Sequence, residues 1–188
     1  MPWKNGGGST AQIAIFPKGS DFRLGDFKWR LSSAKIEQQG DFSLFPKHDR
    51  ILVVLGGAGL VLTNKSENRD LPEKIVLKLH EPYLFSGDLP MSCELLGGPV
   101  RDLNLFFLKQ WVTARFEIIT LNSSERCEIP MKGNVMLAVQ LFGQIHVESE
   151  SLAEGEFLQI DQTLDSSRFL SVQSGPDRAG FIVFTLSY

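Results

Sequence analysis

Histidine is scarce in this chain: His48, His80 and His146 are the only three among 188 residues. They are far apart, no His-x-His pair exists, and the two cysteines, Cys93 and Cys127, lie in different segments. A metal centre needs several such side chains converging on one point, so no metal and no other cofactor is expected. His48 reads as a solvated loop residue and His146 as an ordinary strand residue. Two cysteines are too few for a disulfide framework; free thiols of a reducing compartment are expected, with one disulfide as the alternative. No run of about 18 apolar residues is available to span a bilayer. The longest candidate, ILVVLGGAGLVL at 51–62, is shorter and broken by glycines. The first residues carry no apolar leader, and a cytoplasmic location is the expectation. Lysine and arginine never cluster and the net charge is -3, so neither nucleic acid nor a membrane is an expected partner. No Gly-x-Ser-x-Gly elbow occurs, and Gly56-Gly57 lacks the Lys-Ser/Thr of a phosphate-binding loop.

What the chain does have is strand pattern. AQIAIF, FKWRLSSAKI, ILVVL, LVLTN, KIVLKL, CELL, LNLFFL, RFEIITL, VMLAVQLF, QIHVES, FLQID, FLSVQ and FIVFTLSY are short runs rich in β-branched and aromatic residues. Gly, Pro, Asp, Asn and Ser separate them, and no stretch shows a sustained helical stripe. An all-β sandwich or closed barrel follows. The first turn signal is PWKNGGGST. It reads either as a flexible linker or as a tight turn whose bare backbone approaches something bound.

The pattern also echoes itself. Ile51, Val53, Leu55, Gly57 and Val61 align without a gap on Leu137, Val139, Leu141, Gly143 and Val147. Downstream, Gly98-Pro99 aligns with Gly175-Pro176, which puts Ala179 and Phe181 where Asp102 and Asn104 stand. Two related β-barrel halves are expected, joined by residues 111–127.

Several polar residues interrupt apolar strands. Trp29-Arg30 lies inside FKWRLSSA, Asp49-Arg50 leads into ILVVL, and Asp102 and Asn104 sit two apart in VRDLNLFFL. A strand points residues i and i+2 to one face. A charge inside a barrel is costly unless it is paired or meets a ligand. One reading is an ion pair of Asp49 or Asp102 with Arg30 or Arg50, and another is simple surface placement. The functional reading is a pocket for a small anion, with arginine as the carboxylate fork.

PWKNGGGST, FKWRLSSAKI, GDFSLFPKHDRILVVLGGAGLVL, PYLFSGD and LLGGPVRDLNLF occur in an order that resembles the HutD/Ves family. The resemblance covers most of the N-terminal half and thins beyond about residue 110. It implies a bicupin, two cupin-like jelly-roll β-barrels. Residues 1–110 would form the barrel with the ligand pocket. Residues 111–188 would form a mainly structural barrel, with strands open to exchange between the halves. The family blocks fall on Trp3, Lys4, Asn5, Gly6, Gly7 and Thr10, then Trp29, Arg30 and Ser32. They continue through Phe45, Pro46, Asp49 and Arg50 to Phe85, Gly87, Gly98, Asp102 and Asn104. Lys47 departs from the family pattern, which has glycine after Phe-Pro. Family members also begin several residues before Pro-Trp, so the position of the first strand is an open expectation.

The resemblance implies a link to histidine utilisation and a small acidic ligand from that pathway, such as formylglutamate or formiminoglutamate. The glycines of PWKNGGG are then expected to turn the chain at a barrel mouth. Trp3, Lys4, Asn5, Gly6, Thr10, Trp29, Arg30, Ser32, Phe45, Asp49, Arg50, Phe85, Asp102 and Asn104 form the expected ligand set, with no catalytic residue among them. A non-catalytic binding protein for a small carboxylate is the leading reading, and loss of binding without unfolding is expected of Arg50→Ala. A metal-free cupin enzyme and a purely structural module are the alternatives. A homodimer through strand edges is a further expectation.

Overall fold

A computed structural model describes residues 1–3, 6–67, 70–161 and 169–188. Lys4 and Asn5 lie outside the described residues. The chain divides into two compact units, Met1–Trp111 and Val112–Tyr188. Among the described residues the regular structure is β throughout.

In the first unit one sheet has the order β1-β2-β9-β4-β7. Its strands are β1 (Gly8–Phe16), β2 (Trp29–Ile36), β4 (His48–Gly56), β7 (Pro82–Ser86) and β9 (Val100–Leu108). The facing sheet, in the order β3-β8-β5-β6, holds β3 (Gly40–Asp41), β5 (Leu60–Asn64), β6 (Lys74–Leu77) and β8 (Met91–Leu95). Strand alternation sends Ile36, Leu52, Val54 and Val100 inward, where they pack with Leu60, Leu62, Met91 and Cys93. Ile51, Val53, Leu103 and Leu105, on the opposite face, are also buried. That explains why ILVVL reads as a continuous apolar run rather than an alternating one.

The second unit is built from β10 (Thr113–Leu121), β12 (Val135–Phe142), β15 (Phe157–Asp161) and β17 (Ala179–Ser187), ordered β10-β17-β12-β15. Its second sheet, β11-β16-β13-β14, uses β11 (Arg126–Pro130), β13 (Ile145–Val147), β14 (Glu150–Leu152) and β16 (Phe169–Ser174). β3, β7, β11 and β14 were not among the expected strands. β7 opens with proline and β11 closes with one, which weakens the strand signal of each.

The internal echo is structural. A bulge interrupts the β4–β9 ladder between Val54 and Gly56, and another interrupts β12–β17 between Gln140 and Phe142. These bulges match Val54 to Gln140, the same gapless correspondence that links Ile51 to Leu137. Gly57 and Gly143 follow with φ of 95° and 70°. A Cβ would meet Pro99 O at 2.6 Å in the first and Arg178 O at 2.5 Å in the second. The pairing also corrects one expectation. Val54 faces Asp102 and Gln140 faces Phe181, while Leu52 faces Asn104 and Ala138 faces Val183. The counterparts of Asp102 and Asn104 are therefore Phe181 and Val183, not Ala179 and Phe181. The turn after Gly175-Pro176 carries two more residues than the one after Gly98-Pro99.

The glycine-rich start forms a tight turn. Trp3 N donates to Gly8 O at 2.8 Å and Gly6 N to Trp3 O at 3.1 Å, with Gly6 at φ 71°. A Cβ on Gly8 would stand 2.3 Å from Lys35 O and 3.2 Å from the Trp3 ring. Bare backbone is thus required where β1 enters its ladder with β2.

Candidate functional site

The inner face of the five-stranded sheet carries three polar rows. Register sets Arg30, Phe106, Arg50 and Phe85 side by side across β2, β9, β4 and β7. The next row is Ser32, Asn104, Leu52 and Tyr83, and the third holds Ala34, Asp102 and Val54. Two strand spacings put the Arg30 and Arg50 Cα atoms about 10 Å apart.

Hydrogen bonds join these rows. Arg50 Nε donates to Asn104 Oδ1 at 2.8 Å, and Asn104 Nδ2 donates to Asp102 Oδ1 at 2.8 Å. Asp102 Oδ1 also accepts from Ala34 N at 3.1 Å. Asp102 Oδ2 stands 3.7 Å from Arg50 Nη2 and has no hydrogen-bond donor. This is the Asp102–Arg50 ion pair that one reading of the sequence anticipated. Among the described residues Arg30 has no carboxylate partner: Nε donates to Gln12 Oε1 at 3.0 Å and Nη1 to Ser32 Oγ at 3.1 Å. Its Nη2 is buried without a partner. Aromatic rings cover both cations, Phe22 at 4.5 Å from Arg30 Cζ and Phe42 at 4.1 Å from Arg50 Cζ.

Arg30 is 3% exposed, Arg50 6% and Asp102 0%. Burial pulls both guanidinium groups down to about 10, with Arg50 held up by Asp102 and pushed further down by Arg30. Burial pushes Asp102 up to about 6 despite the opposing pull of Arg50. At neutral pH these three groups carry two positive charges and one negative. The surplus cation sits in a low-dielectric interior, where an unpaired charge is expensive.

The other expected residues divide between this face and other places. Thr10 lies opposite Ala34, and its Oγ1 accepts from Trp3 Nε1 at 2.8 Å, so both belong to the inner face. Phe45 packs on Phe106 with ring centroids 4.5 Å apart. Phe85 lies 5.3 Å from Arg50 Cζ and also lines a cavity of about 290 Å³ with Tyr83, Ile75, Met91 and Asn64. Trp29 alternates with Arg30 and points to the opposite face, stacked on Phe16 at 6.1 Å. Asp49 likewise alternates with Arg50 and meets Lys109 at 3.4 Å. Gly6 stays in its exposed turn. Gln12, in the expected strand AQIAIF, and Phe22, in the loop that follows it, touch Arg30 but were not among the expected site residues.

His48 is not a solvated loop residue. It is the first residue of β4, 1% exposed, with its ring nitrogens each 3.0 Å from a carbonyl, of Pro46 and of Phe27. Lys47, at φ 68°, turns the chain inward just before it. Both cysteines are free, and Cys93 is buried in the first interior. Among the described residues no group of three His, Cys, Asp or Glu side chains is placed to hold a metal ion. No described helix is long and apolar enough to cross a membrane.

Two sandwiches of this kind in tandem, one with a polar interior, define a cupin-fold protein. A cupin barrel-domain protein from Leptotrichia buccalis, 9% identical, shares the fold at TM-score 0.57 over 95% of this chain and 88% of its own. The HutD family profile matches residues 1–177, and the chain belongs to that family. An uncharacterized 21.2 kDa protein in the hutC 3′ region of Pseudomonas putida is 34% identical over 162 residues, 79% of this chain and 81% of that protein. HutD from Pseudomonas fluorescens SBW25, solved in a formate condition, gives TM-score 0.77 at 33% identity, covering 100% of this chain and 94% of its own. Protein Ves of Cronobacter sakazakii is 34% identical over 104 residues, 55% of this chain but only 52% of that protein.

Proposed function

We propose that the chain is a non-catalytic binding protein for a small carboxylate metabolite and serves histidine utilisation. Formylglutamate and formiminoglutamate are the ligands favoured. The observation that carries this reading is the surplus buried cation: among the described residues Arg30 has no anionic partner and its Nη2 no acceptor. A bound carboxylate would supply both the missing charge and the missing acceptor. Arg50, fixed by Asn104 and Asp102, would stand ready as the second fork. Ser32, Thr10 and Trp3 would add polar edges, and the Phe45, Phe85 and Phe106 rings would wall the carbon skeleton. The association of relatives with the hut region supports the pathway.

Arg30→Met tests the site better than Arg50→Ala. Removing Arg30 orphans no carboxylate, whereas removing Arg50 leaves Asp102 buried without its cation. Calorimetric titration with formylglutamate, formiminoglutamate, glutamate, urocanate and formate is the measurement. Expected is selective binding of a formyl or formimino dicarboxylate by the native chain, and a loss of at least about 100-fold in Arg30→Met, the scale of a buried charge-assisted pair. Arg30→Met should also melt higher than the native chain, because an unpaired buried charge is gone. Unchanged binding in a folded Arg30→Met would remove the site, and no binding by the native chain would remove the reading.

A further inference from the structure

The two units differ at one strand. In the first, β1 lies beside β2, and Gln12 of β1 accepts from Arg30 of β2. The register identifies the second-unit counterpart of β2. Arg30 faces Phe106 and Arg115 faces Thr185, while Arg50 faces Phe106 and Met136 faces Thr185. β10 is therefore the equivalent of β2, and Arg115 that of Arg30. Yet β10 is the end of its sheet, and six of its nine residues are exposed.

Sheet edges are normally blunted by bulges, prolines, shortness or charged side chains, especially lysines. β1 has a bulge between Gln12 and Ala14, β7 starts with Pro82, and β15 has five residues. β10, TARFEIITL, contains no Pro, Gly or Lys, and its ladder with β17 runs without a register shift. Phe116 and Ile118 are each 37% exposed on it.

We propose that a second copy of this chain covers this edge, the two β10 strands pairing antiparallel about a two-fold axis at Phe116. The sequence fits that register on both faces. Arg115 lies opposite Glu117 of the second copy, and Glu117 opposite its Arg115. On the other face Phe116 meets Phe116, and Ala114 meets Ile118. Moving the axis one residue to Glu117 would set glutamate against glutamate, a destabilising pair. The second β10 takes the place beside β10 that β1 takes beside β2. A single strand pair buries less than the roughly 1,600 Å² of a standard interface, so the dimer is weak and concentration-dependent.

Sedimentation velocity over a concentration series of the full chain tests this. Expected is a reversible monomer–dimer equilibrium. Arg115→Glu and Glu117→Arg, by placing two like-charge pairs across the axis, should each weaken it about tenfold or more. The double swap Arg115→Glu/Glu117→Arg should restore it. These are surface positions, and unchanged melting of each variant confirms folding. A native chain that is monomeric at every concentration overturns the proposal. So does a dimer indifferent to the single swaps, or a double swap no better than either single. Ligand titration of the same variants reads the first-unit site independently, so the two proposals fail separately.

Discussion

Arg50 and Met136 occupy one place in two copies of the same sheet, as do Asp102 and Phe181, and Asn104 and Val183. Met136, Phe181 and Val183 pack into a wholly apolar cluster with Ile129, Leu170 and Val172. Among the described residues the second unit thus shows that this strand frame closes without a buried charge, its buried polar side chains being the neutral Gln140 and Ser174. Polar rows in the first unit are therefore not a requirement of the fold. They cost burial energy, and the hydrogen bonds among Arg50, Asn104 and Asp102 offset only part of it. Arg30 and Arg115 sharpen the contrast, since the same residue in equivalent strands is buried under β1 in one unit and exposed in the other. Position in the barrel does not make a buried cation; the covering strand does.

The contrast breaks most strongly at Arg50. Arg50→Met copies the second unit at one position only and strands Asp102 in a dry interior. A loss of about 3–5 kcal/mol is expected. Adding Asp102→Leu removes the orphan and should return most of it, leaving a coupling energy of several kcal/mol in the double-mutant cycle. Urea midpoints at unchanged m-value give both numbers. A neutral Arg50→Met would mean that the pair is not an electrostatic unit.

A smaller effect follows from Asp102 itself. Its carboxyl titrates at about 6 in the folded chain, above the ordinary 3.8, because burial disfavours the charged form. The protonated form therefore favours folding. This contribution is fully present below about pH 3.8 and is lost as pH rises through about 6. A shift of roughly two units corresponds to about 3 kcal/mol between those limits. Among the described residues the second unit buries no carboxylate, only the neutral Gln140 and Ser174. Comparing native chain and Asp102→Asn by urea unfolding between pH 4 and 7 isolates the slope. The native chain should lose about that much more stability toward pH 7, and parallel curves would contradict the assignment.

Much of this contrast was legible in the chain, and for identifiable reasons. Asp102 and Asn104 two apart in an apolar strand can only share a face, and they hydrogen-bond there. Ile51 and Leu137 aligned because equal bulges leave both strands the same length before the glycine. Trp29 and Asp49 were adjacent in sequence to Arg30 and Arg50, but alternation sends neighbours to opposite faces, so a block motif gathers residues that the sheet separates. Gln12 and Phe22 escaped because a partner of a buried arginine needs no pattern of its own. The two-residue difference after Gly175-Pro176 was invisible because a shared dipeptide outweighs a loop length in alignment, whereas a ladder counts every residue.

The smallest test concerns a place where the first unit departs from the second. The correspondence that links Ile51 to Leu137 also links Lys47 to Gly133, and both backbones are left-handed, at φ 68° and 79°. Glycine adopts that conformation freely, while a residue with a Cβ is strained there by about 1–2 kcal/mol. Lys47 is held by backbone atoms that glycine would keep: its N donates to Asp88 Oδ1 at 3.0 Å, and its O accepts from Lys109 N at 3.1 Å. Lys47→Gly should therefore stabilise the chain by about 0.5–1 kcal/mol, the relieved strain less the extra freedom glycine gives the unfolded state. Lys47→Ala, which keeps the Cβ, should gain nothing. Thermal melting of the two variants beside the native chain separates these outcomes. An alanine variant as stable as the glycine one would show that the lysine side chain, and not the backbone, carries the strain.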